Sequence, residues 1–293
     1  MAISPKAVQE LREKTGVGMM DCKRALDEAG GDMEEAIKIL RKKGIATAAK
    51  KSTRAASEGL VEAHISADGR TGALLEVNCE TDFVAKTDDF KDLVAAICAK
   101  VATAAPADVE ALLDLPSGNA AAQKVKDLIV LKVAKLGENI QLRRFVRYHG
   151  EGALVASYIH AGGKIGVLLE CEAPAATEEL KAVAKDLCMQ VAAAAPRFVS
   201  RQEVTSDILE SEKEIYRAQV LAQGKPANIV DKIVEGKMNK YYEEACLLEQ
   251  AFVKDSTLSV QKHLDAVAKG LKVVRFTRYV LGEGLKSSAC DAQ

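Results

Sequence analysis

The first 45 residues place apolar side chains at helical spacing, and they predict three short helices. Ser4 followed by Pro5 fits an N-cap and a first helical residue, and Gly-rich segments separate the three runs. Asp32, followed three residues later by Glu35, fits the capping signature at the start of the third helix. We therefore predict a small three-helix domain at 1–45.

The next part of the chain contains two copies of one pattern. Each copy, the first from Gly59 and the second from Gly152, reads as strand, Gly-rich turn, strand, loop and an Ala-rich helix that ends at Pro. Two related strands, RRFVRYHGEG (143–152) and VRFTRYVLGEG (274–284), alternate polar and apolar residues. We predict that the first leads into the second copy as a meander, and that the other returns to one of the two sheets. The fold class is therefore α+β, with a duplicated core of small antiparallel sheets and packed helices.

The two copies differ in one loop. Gly72 matches Gly166 at an offset of 94 residues. Farther along, Cys98 matches Cys188 at an offset of 90, so the first copy carries four extra residues before its helix. That interval contains Phe83 in polar surroundings, where the ring either folds back onto its own subdomain or serves as an exposed apolar anchor for a partner. Its confinement to one copy favours the anchor.

A long helical pattern lies between the second copy and the last strand. The runs 205–223 and 226–248 are separated by Gly-Lys-Pro, and apolar residues from Ile229 to Leu248 recur at spacings close to a coiled-coil seam. We predict an inserted antiparallel coiled-coil hairpin, roughly 30 Å long, which either braces the core or holds a partner, such as a second copy in a homodimer. The predicted divisions are a three-helix domain at 1–45, a basic linker at 46–58, an N-terminal core subdomain at 59–140, a C-terminal core subdomain at 141–200 and 249–284, the hairpin at 201–248 and a short tail at 285–293.

Composition narrows the class of protein. The 293 residues include 41 Lys and Arg against 42 Asp and Glu, and 48% are apolar, which excludes a disordered chain and argues against nucleic-acid binding by global charge. Seven scattered Cys without CxxC spacing predict buried, reduced thiols in a cytoplasmic protein. No apolar run fits a signal peptide or a membrane span, and four isolated His form no zinc cluster. We expect no membrane, no direct nucleic-acid partner and no cofactor.

One segment departs from this balance. Between residues 41 and 54 there is no acid, and the cations are Arg41, Lys42, Lys43, Lys50, Lys51 and Arg54. Such a segment is either a phosphate-binding strip, as in an RNA-binding accessory factor, or a solvated connector between domains. The connector is favoured because no aromatic residue interleaves the charges to stack on bases.

Motifs of enzymes are missing from the chain. It contains no GxxxxGK[ST] and no GxSxG, so it lacks the phosphate-binding loop and the nucleophile elbow. Asp88 and Asp89 begin a helix, where acids are favoured by the helix dipole, and they are not interpreted as a catalytic pair. The residues predict a non-enzymatic protein, and an adaptor or scaffold that only binds proteins is one such class.

Two long motifs, LREKTGVGMMDCKRAL (11–26) and LEVNCETDFVA (75–85), resemble the signatures of the elongation factor Ts family, the guanine-nucleotide exchange factors of bacteria and organelles. LGENIQLRR (136–144) and VEGKM (234–238) extend the resemblance over nearly the whole chain. The resemblance implies a ubiquitin-associated-like three-helix domain, a duplicated α+β core and an inserted coiled-coil hairpin.

The same resemblance implies a function. Members of the family bind elongation factor Tu carrying GDP, loosen its magnesium ion and nucleotide, and release the factor for GTP. The segment that the family uses to dislodge magnesium matches Thr81, Asp82, Phe83 and Val84. By resemblance, Phe83 wedges between helices of the partner's GTPase domain, and Asp82 disturbs the surroundings of the magnesium ion.

The resemblance also implies a wider contact with elongation factor Tu. The matching positions in the three-helix domain and the core are Met19, Met20, Lys23, Leu136, His160 and Val253. Leu136 stands where relatives often have Ile, which is a conservative departure. Only nine residues follow the last Gly-Glu-Gly turn, whereas some relatives carry a further C-terminal helix that touches the partner, so the resemblance does not extend to that contact.

Overall fold

The computed structural model describes residues 3–119, 121–173, 176–224 and 226–285; the tail beyond Leu285 and Lys225 of the Gly-Lys-Pro turn lie outside them. The helices are α1 (Pro5–Thr15), α2 (Met19–Glu28), α3 (Met33–Lys51), α4 (Asp82–Ala85), α5 (Asp88–Ala104), α6 (Val109–Asp114), α7 (Val125–Leu136), α8 (Glu178–Ala194), α9 (Ser206–Ala222), α10 (Ala227–Ala245) and α11 (Val260–Val267). The strands are β1 (Glu58–Ile65), β2 (Thr71–Cys79), β3 (Pro116–Asn119), β4 (Ala122–Lys124), β5 (Ile140–His149), β6 (Ala153–His160), β7 (Ile165–Glu172), β8 (Ala251–Phe252), β9 (Asp255–Ser259) and β10 (Lys272–Val280). Helices with small antiparallel sheets confirm the α+β class.

The N-terminal helices begin where the sequence predicts. The Ser4 hydroxyl accepts a hydrogen bond from the Ala7 N–H, and the Asp32 carboxylate accepts one from the Glu35 N–H. The third helix, however, continues to Lys51, so the predicted linker at 46–58 is wrong over its first six residues. Those residues are mostly Ala and Lys, which favour helix, and no Pro or Gly interrupts them.

The three-helix domain shares its core with the rest of the chain. Leu11, Leu26 and Leu40 pack with Leu131 of α7 and with Ala122 of the β3–β4 hairpin. Because α3 also packs along α7, the domain is docked on the core and is not a separately tethered unit.

The duplication extends to a third strand in each copy. The strand orders are β1–β2–β5 and β6–β7–β10, and every pairing in them is antiparallel. The return of β10 to a repeat sheet is confirmed, but the predicted meander of β5 into the second copy is wrong. Across β2 and β5, Glu76 lies opposite Arg144, and across β7 and β10, Glu170 lies opposite Arg275. Each charged pair favours pairing of the third strand with its own copy.

The two sheets pack face to face, and α5 and α8 cover their outer faces. Along β2, Ala73, Leu75 and Val77 face α5, whereas Leu74 packs with Leu168 of the other sheet. The equivalent outward residues of β7 pack against α8. Because β2 is covered on both faces, all its residues from 72 to 79 are buried.

The third strands of the two sheets, β5 and β10, also contact each other. The guanidinium of Arg144 lies 4.1 Å from the ring centroid of Tyr279, and that of Arg275 lies 4.3 Å from the ring centroid of Tyr148. Both strands carry the pattern RFxRY, so each half supplies the cation and the ring from equivalent positions. The two halves therefore meet in a reciprocal, pseudo-symmetric contact.

Replacing Gly72 by Val is expected to destabilise the protein by about 1–3 kcal/mol through overpacking between the sheets. A Cβ at Gly72 would lie 2.6 Å from Cγ1 of Val155 and 2.9 Å from Cδ1 of Leu168. Urea unfolding measures the effect. Gly236→Ala is the control, because nothing lies within 4 Å of its Cβ position, and we expect it to add roughly 0.5–1 kcal/mol to the stability of α10. A Gly72→Val variant as stable as the wild type would contradict close sheet packing.

The antiparallel hairpin of α9 and α10 keeps the predicted seam at Met238, Tyr241 and Ala245 and departs from it at both ends. The buried residues of α10 are Val230, Val234, Met238, Tyr241 and Ala245, whereas Ile229 is 39% exposed. The observed seam has spacings of four, four, three and four residues, which keeps one helix face towards α9. The predicted seam residue Leu248 packs instead against the core of the second sheet, because α10 ends at Ala245.

Six cysteines are buried, as predicted: Cys22, Cys79, Cys98, Cys171, Cys188 and Cys246. Burial raises the pKa of the Cys79, Cys98 and Cys171 thiols to about 12, so these side chains stay protonated at neutral pH. Cys290 lies outside the described residues.

Candidate functional site

The loop that distinguishes the first copy forms the short helix α4. Strand β2 ends at Cys79 and α5 begins at Asp88, whereas in the second copy β7 ends at Glu172 and α8 begins at Glu178. The added residues therefore give the first copy room for one helical turn between its second strand and its long helix.

Phe83 projects from α4 into solvent. Its side chain is 79% exposed, whereas Ala85 on the same turn is buried and Val84 packs partly against the core of the first sheet. The ammonium of Lys86 lies 6.0 Å from the centroid of the Phe83 ring. The structure therefore excludes folding back of Phe83 and presents it as an apolar side chain on a turn whose opposite face is packed.

Asp82 is ionised beside this ring. Its carboxylate accepts a hydrogen bond of 2.6 Å from Lys86. That hydrogen bond, together with the charges of Lys86 and Lys164, holds the pKa of the Asp82 carboxyl below its ordinary value. The side chain keeps 43% of its surface exposed, so the negative charge remains accessible to a partner.

The start of α4 is anchored by a residue that sequence reasoning missed. The Glu138 carboxylate accepts hydrogen bonds from the N–H groups of Glu80 and Thr81, at 3.1 and 3.0 Å, and from the Thr81 hydroxyl at 2.6 Å. The Thr81 hydroxyl oxygen in turn accepts a hydrogen bond from the Val84 N–H and caps α4. The available signal was LGEN (136–139), which the family resemblance includes, although the separation of 57 residues between Thr81 and Glu138 hid the contact.

A cleft connects α4 with the second half of the core. It has a volume of about 450 Å³ and lies between Asp82 and Lys86 on one side and the β6–β7 turn, with Gly162 and Lys164, on the other. The turn is fixed to the first sheet, because the Val61 N–H donates a hydrogen bond of 2.8 Å to the Gly163 carbonyl. Helix α4 and the β6–β7 turn of the second copy therefore form one continuous surface.

The structure brings His160 and Val253 to a second cleft. Both line a cavity of about 450 Å³ together with Tyr158, Met189 and Arg278. The Tyr158 hydroxyl and His160 Nδ1 lie 3.0 Å apart. Because His160 directly precedes the β6–β7 turn, the two clefts are neighbours along the same strand end.

The remaining predicted contact residues divide into exposed and packed positions. Met19 and Met20 are 50% and 66% exposed in the first turn of α2, and Lys23 is exposed on the next turn. Leu136, at the end of α7, instead packs partly against the core of the first sheet. Exposed apolar residues thus occur on α2 and α4 and beside the cleft of His160.

The basic segment at 41–54 is largely engaged within the chain. Arg41 lies 3.6 Å from Asp127, Lys43 lies 2.6 Å from Glu28, and Arg54 lies 3.4 Å from Glu80. The remaining engaged cation, Lys51, donates to the Gly137 carbonyl. Three of the six cations, Arg41, Lys51 and Arg54, therefore link α3 and the residues just after it to the core, which favours the connector over the phosphate-binding strip. Lys43 instead links α3 to α2.

Neither a membrane-spanning helix nor a metal-binding cluster occurs in the part of the chain that the structure describes. No helix there is both long enough and apolar enough to cross a membrane. Within the same residues, no group of three or more His, Cys, Asp and Glu side chains could hold a metal ion.

Comparison with known proteins agrees with the motifs. The family model for elongation factor Ts matches residues 80–283. Elongation factor Ts of Trichlorobacter lovleyi is 48% identical over 299 residues, covering 99% of this chain and 96% of the relative. The proteins of the same name from Clostridium botulinum and Clostridium kluyveri are 50% and 48% identical, covering 97% and 99% of this chain and 94% and 96% of those relatives. This chain therefore belongs to the elongation factor Ts family of translation elongation factors.

Proposed function

We propose that this chain is a cytoplasmic guanine-nucleotide exchange factor that binds elongation factor Tu with GDP, displaces magnesium and GDP, and allows GTP to load. One observation carries the proposal: Phe83 is 79% exposed at an anchored helical turn, next to the ionised Asp82. An apolar ring held in this way can enter the partner as a wedge, and a carboxylate beside it can disturb the ligands of a nearby magnesium ion. No covalent chemistry by this chain is required.

Burial of the Phe83 side chain alone cannot supply the free energy that nucleotide exchange requires. An acceleration of roughly 10⁴-fold corresponds to about 5.5 kcal/mol, whereas burial of one Phe side chain contributes about 1.5–3 kcal/mol. The rest must come from stronger binding of the nucleotide-free partner over a broad surface. The exposed Met19, Met20, His160 and Val253 support such a surface. By linkage, GDP then weakens the binding of this chain to the same extent.

The direct test measures release of labelled GDP from elongation factor Tu with the full chain. We expect faster release, lost in the double variant Asp82→Ala/Phe83→Ala and retained in Val267→Ala, which removes an exposed apolar side chain from α11. Chelation of magnesium should raise unassisted release and narrow the gap between wild type and double variant. Unchanged GDP release with the intact protein would refute the proposal, and tight binding without faster release would support the adaptor class.

A second copy of the chain is a further proposed partner, through the helical hairpin. Ile215 and Leu221 on α9 are 48% and 52% exposed, which supports an apolar contact there. Sedimentation of the full chain, compared with an Ile215→Ser variant, distinguishes this contact from a hairpin that only braces the core.

A further inference from the structure

We propose that Glu138 is a positioning residue for nucleotide exchange, because its carboxylate holds the loop that presents Asp82 and Phe83. This inference rests on the proposed exchange function. Its basis is the set of three hydrogen bonds that Glu138 accepts, two from backbone N–H groups of Glu80 and Thr81 and one from the Thr81 hydroxyl. Hydrogen bonds to an ionised acceptor are stronger than neutral ones, and several on one carboxylate also fix direction.

The helix that carries Phe83 cannot hold its own orientation. It has four residues, far fewer than an isolated helix needs to be stable. Phe83 itself points into solvent, so its ring supplies no packing in the free protein. The orientation of the turn therefore depends on its packed side at Ala85 and on the cap at Thr81, which Glu138 holds.

The segment 137–139, which contains Glu138, also contacts the end of the three-helix domain. The Asn139 side-chain amide donates a hydrogen bond of 2.9 Å to the Arg54 carbonyl, and the Asn139 N–H donates one of 2.7 Å to the Glu80 carboxylate. Lys51 of α3 donates to the Gly137 carbonyl. The segment 137–139 thus lies between α3 and the loop before α4, and it holds two parts of the proposed partner surface in one arrangement.

A rigid presentation has a kinetic consequence. Misplacement of a reacting or binding group by about 1 Å lowers a rate on the order of a hundredfold. A loop freed from Glu138 still allows α2 and the clefts of the second half to bind, so the partner concentration that gives half-maximal exchange should change little. The maximal rate of GDP release should fall, because Phe83 and the Asp82 carboxylate are no longer held in one fixed orientation towards the partner.

The test uses the full chain with matched variants. We expect Glu138→Ala and Thr81→Val each to lower the maximal release rate by roughly ten- to a hundredfold. Thr81→Ser, which keeps the hydroxyl, should retain the wild-type rate. The double variant Glu138→Ala/Thr81→Val should be little slower than either single variant, because both remove the same contact. Asp108→Ala is the control, because it removes the side-chain cap of α6, a short helix elsewhere in the fold. Wild-type rates for Glu138→Ala, or an equal loss for Asp108→Ala, would overturn the proposal.

A second readout is independent of exchange. The chain contains no Trp, so the substitution Phe83→Trp introduces a single tryptophan on α4, which can be excited selectively over the six Tyr. In that background, Glu138→Ala should lower the fluorescence anisotropy of the reporter in the free protein, whereas Asp108→Ala should not. Unchanged anisotropy would overturn the positioning role. A wild-type chain that fails to accelerate GDP release would instead refute the exchange function and leave the anisotropy result to stand by itself.

Discussion

Replacing Phe83 by Ala is expected to slow GDP release from elongation factor Tu by roughly 10- to 150-fold, because burying a Phe side chain contributes about 1.5–3 kcal/mol. The free energy of unfolding should change by less than about 0.5 kcal/mol, since an exposed side chain is removed from a site without buried contacts. Phe83 is 79% exposed in the free protein, so nearly its whole surface is available to be buried in a complex. Stopped-flow release of labelled GDP and urea unfolding provide the two measurements.

The comparison variant for Phe83→Ala is Val253→Ala, at a proposed contact that lies away from α4. Loss of Val253 should weaken binding of the partner more than it lowers the maximal rate, because Val253 belongs to the broad surface and not to the wedge. An equal effect of both variants on the maximal rate would contradict the special role of Phe83. A stability loss in Phe83→Ala would show that the ring packs within the chain.

Replacing Glu76 by Ala is expected to reduce the free energy of unfolding by about 3–5 kcal/mol, because it leaves two partly buried guanidinium groups and the Gly282 N–H without their common acceptor. Glu76 is fully buried on β2 and accepts hydrogen bonds from Arg143 at 2.9 Å and Arg144 at 2.7 Å. It also accepts the Gly282 N–H, at 2.8 Å, from the segment after β10. Glu76 therefore joins the first sheet to the second, and urea unfolding at neutral pH measures the loss.

The duplication provides an internal control for this variant. Glu170 occupies the equivalent position on β7 and accepts a hydrogen bond of 2.7 Å from Arg275. The Arg275 side chain is 51% exposed, whereas Arg143 and Arg144 are 23% and 29% exposed. Because Arg275 can be solvated when its partner is lost, Glu170→Ala should destabilise the protein less than Glu76→Ala. Equal losses would contradict the importance of burial at Glu76.

The Glu76 site also predicts a pH dependence of stability. Burial by itself would raise the pKa of Glu76, but hydrogen bonds from Gly282, Arg143, Asn78 and Arg144 outweigh it and hold the pKa below the ordinary value of 4.5. Since the folded pKa is lowered, the stabilisation is present above the ordinary pKa and is lost as the pH falls through the folded pKa. Unfolding free energies measured below pH 4.5 should fall less steeply in Glu76→Gln than in the wild type. Parallel curves would contradict this account.

Local signals in the sequence predicted the parts that depend on neighbouring residues. Ser4 and Asp32 begin helices because their side chains satisfy nearby N–H groups, and such caps are encoded within four residues. The duplicated strands and the extra loop at Phe83 were visible because two copies of one pattern can be compared directly. The predictions that were wrong concern contacts between residues that lie far apart in the sequence. Arg144 had no local signal for pairing with β2, and the choice between Ile229 and Val230 as seam residues depended on the face of α10 that meets α9.

The sequence by itself determined the α+β class, the starts of the first helices, the duplication and the candidate residues Asp82 and Phe83, because each depends on short-range periodicity, capping or comparison between repeats. Only the tertiary structure decided that β5 completes the first sheet, that α3 continues along α7, and that Glu138 holds Thr81. Those features depend on which distant groups meet to satisfy buried charges and N–H groups, and many pairings of such groups are compatible with one sequence pattern until the sheets pack together.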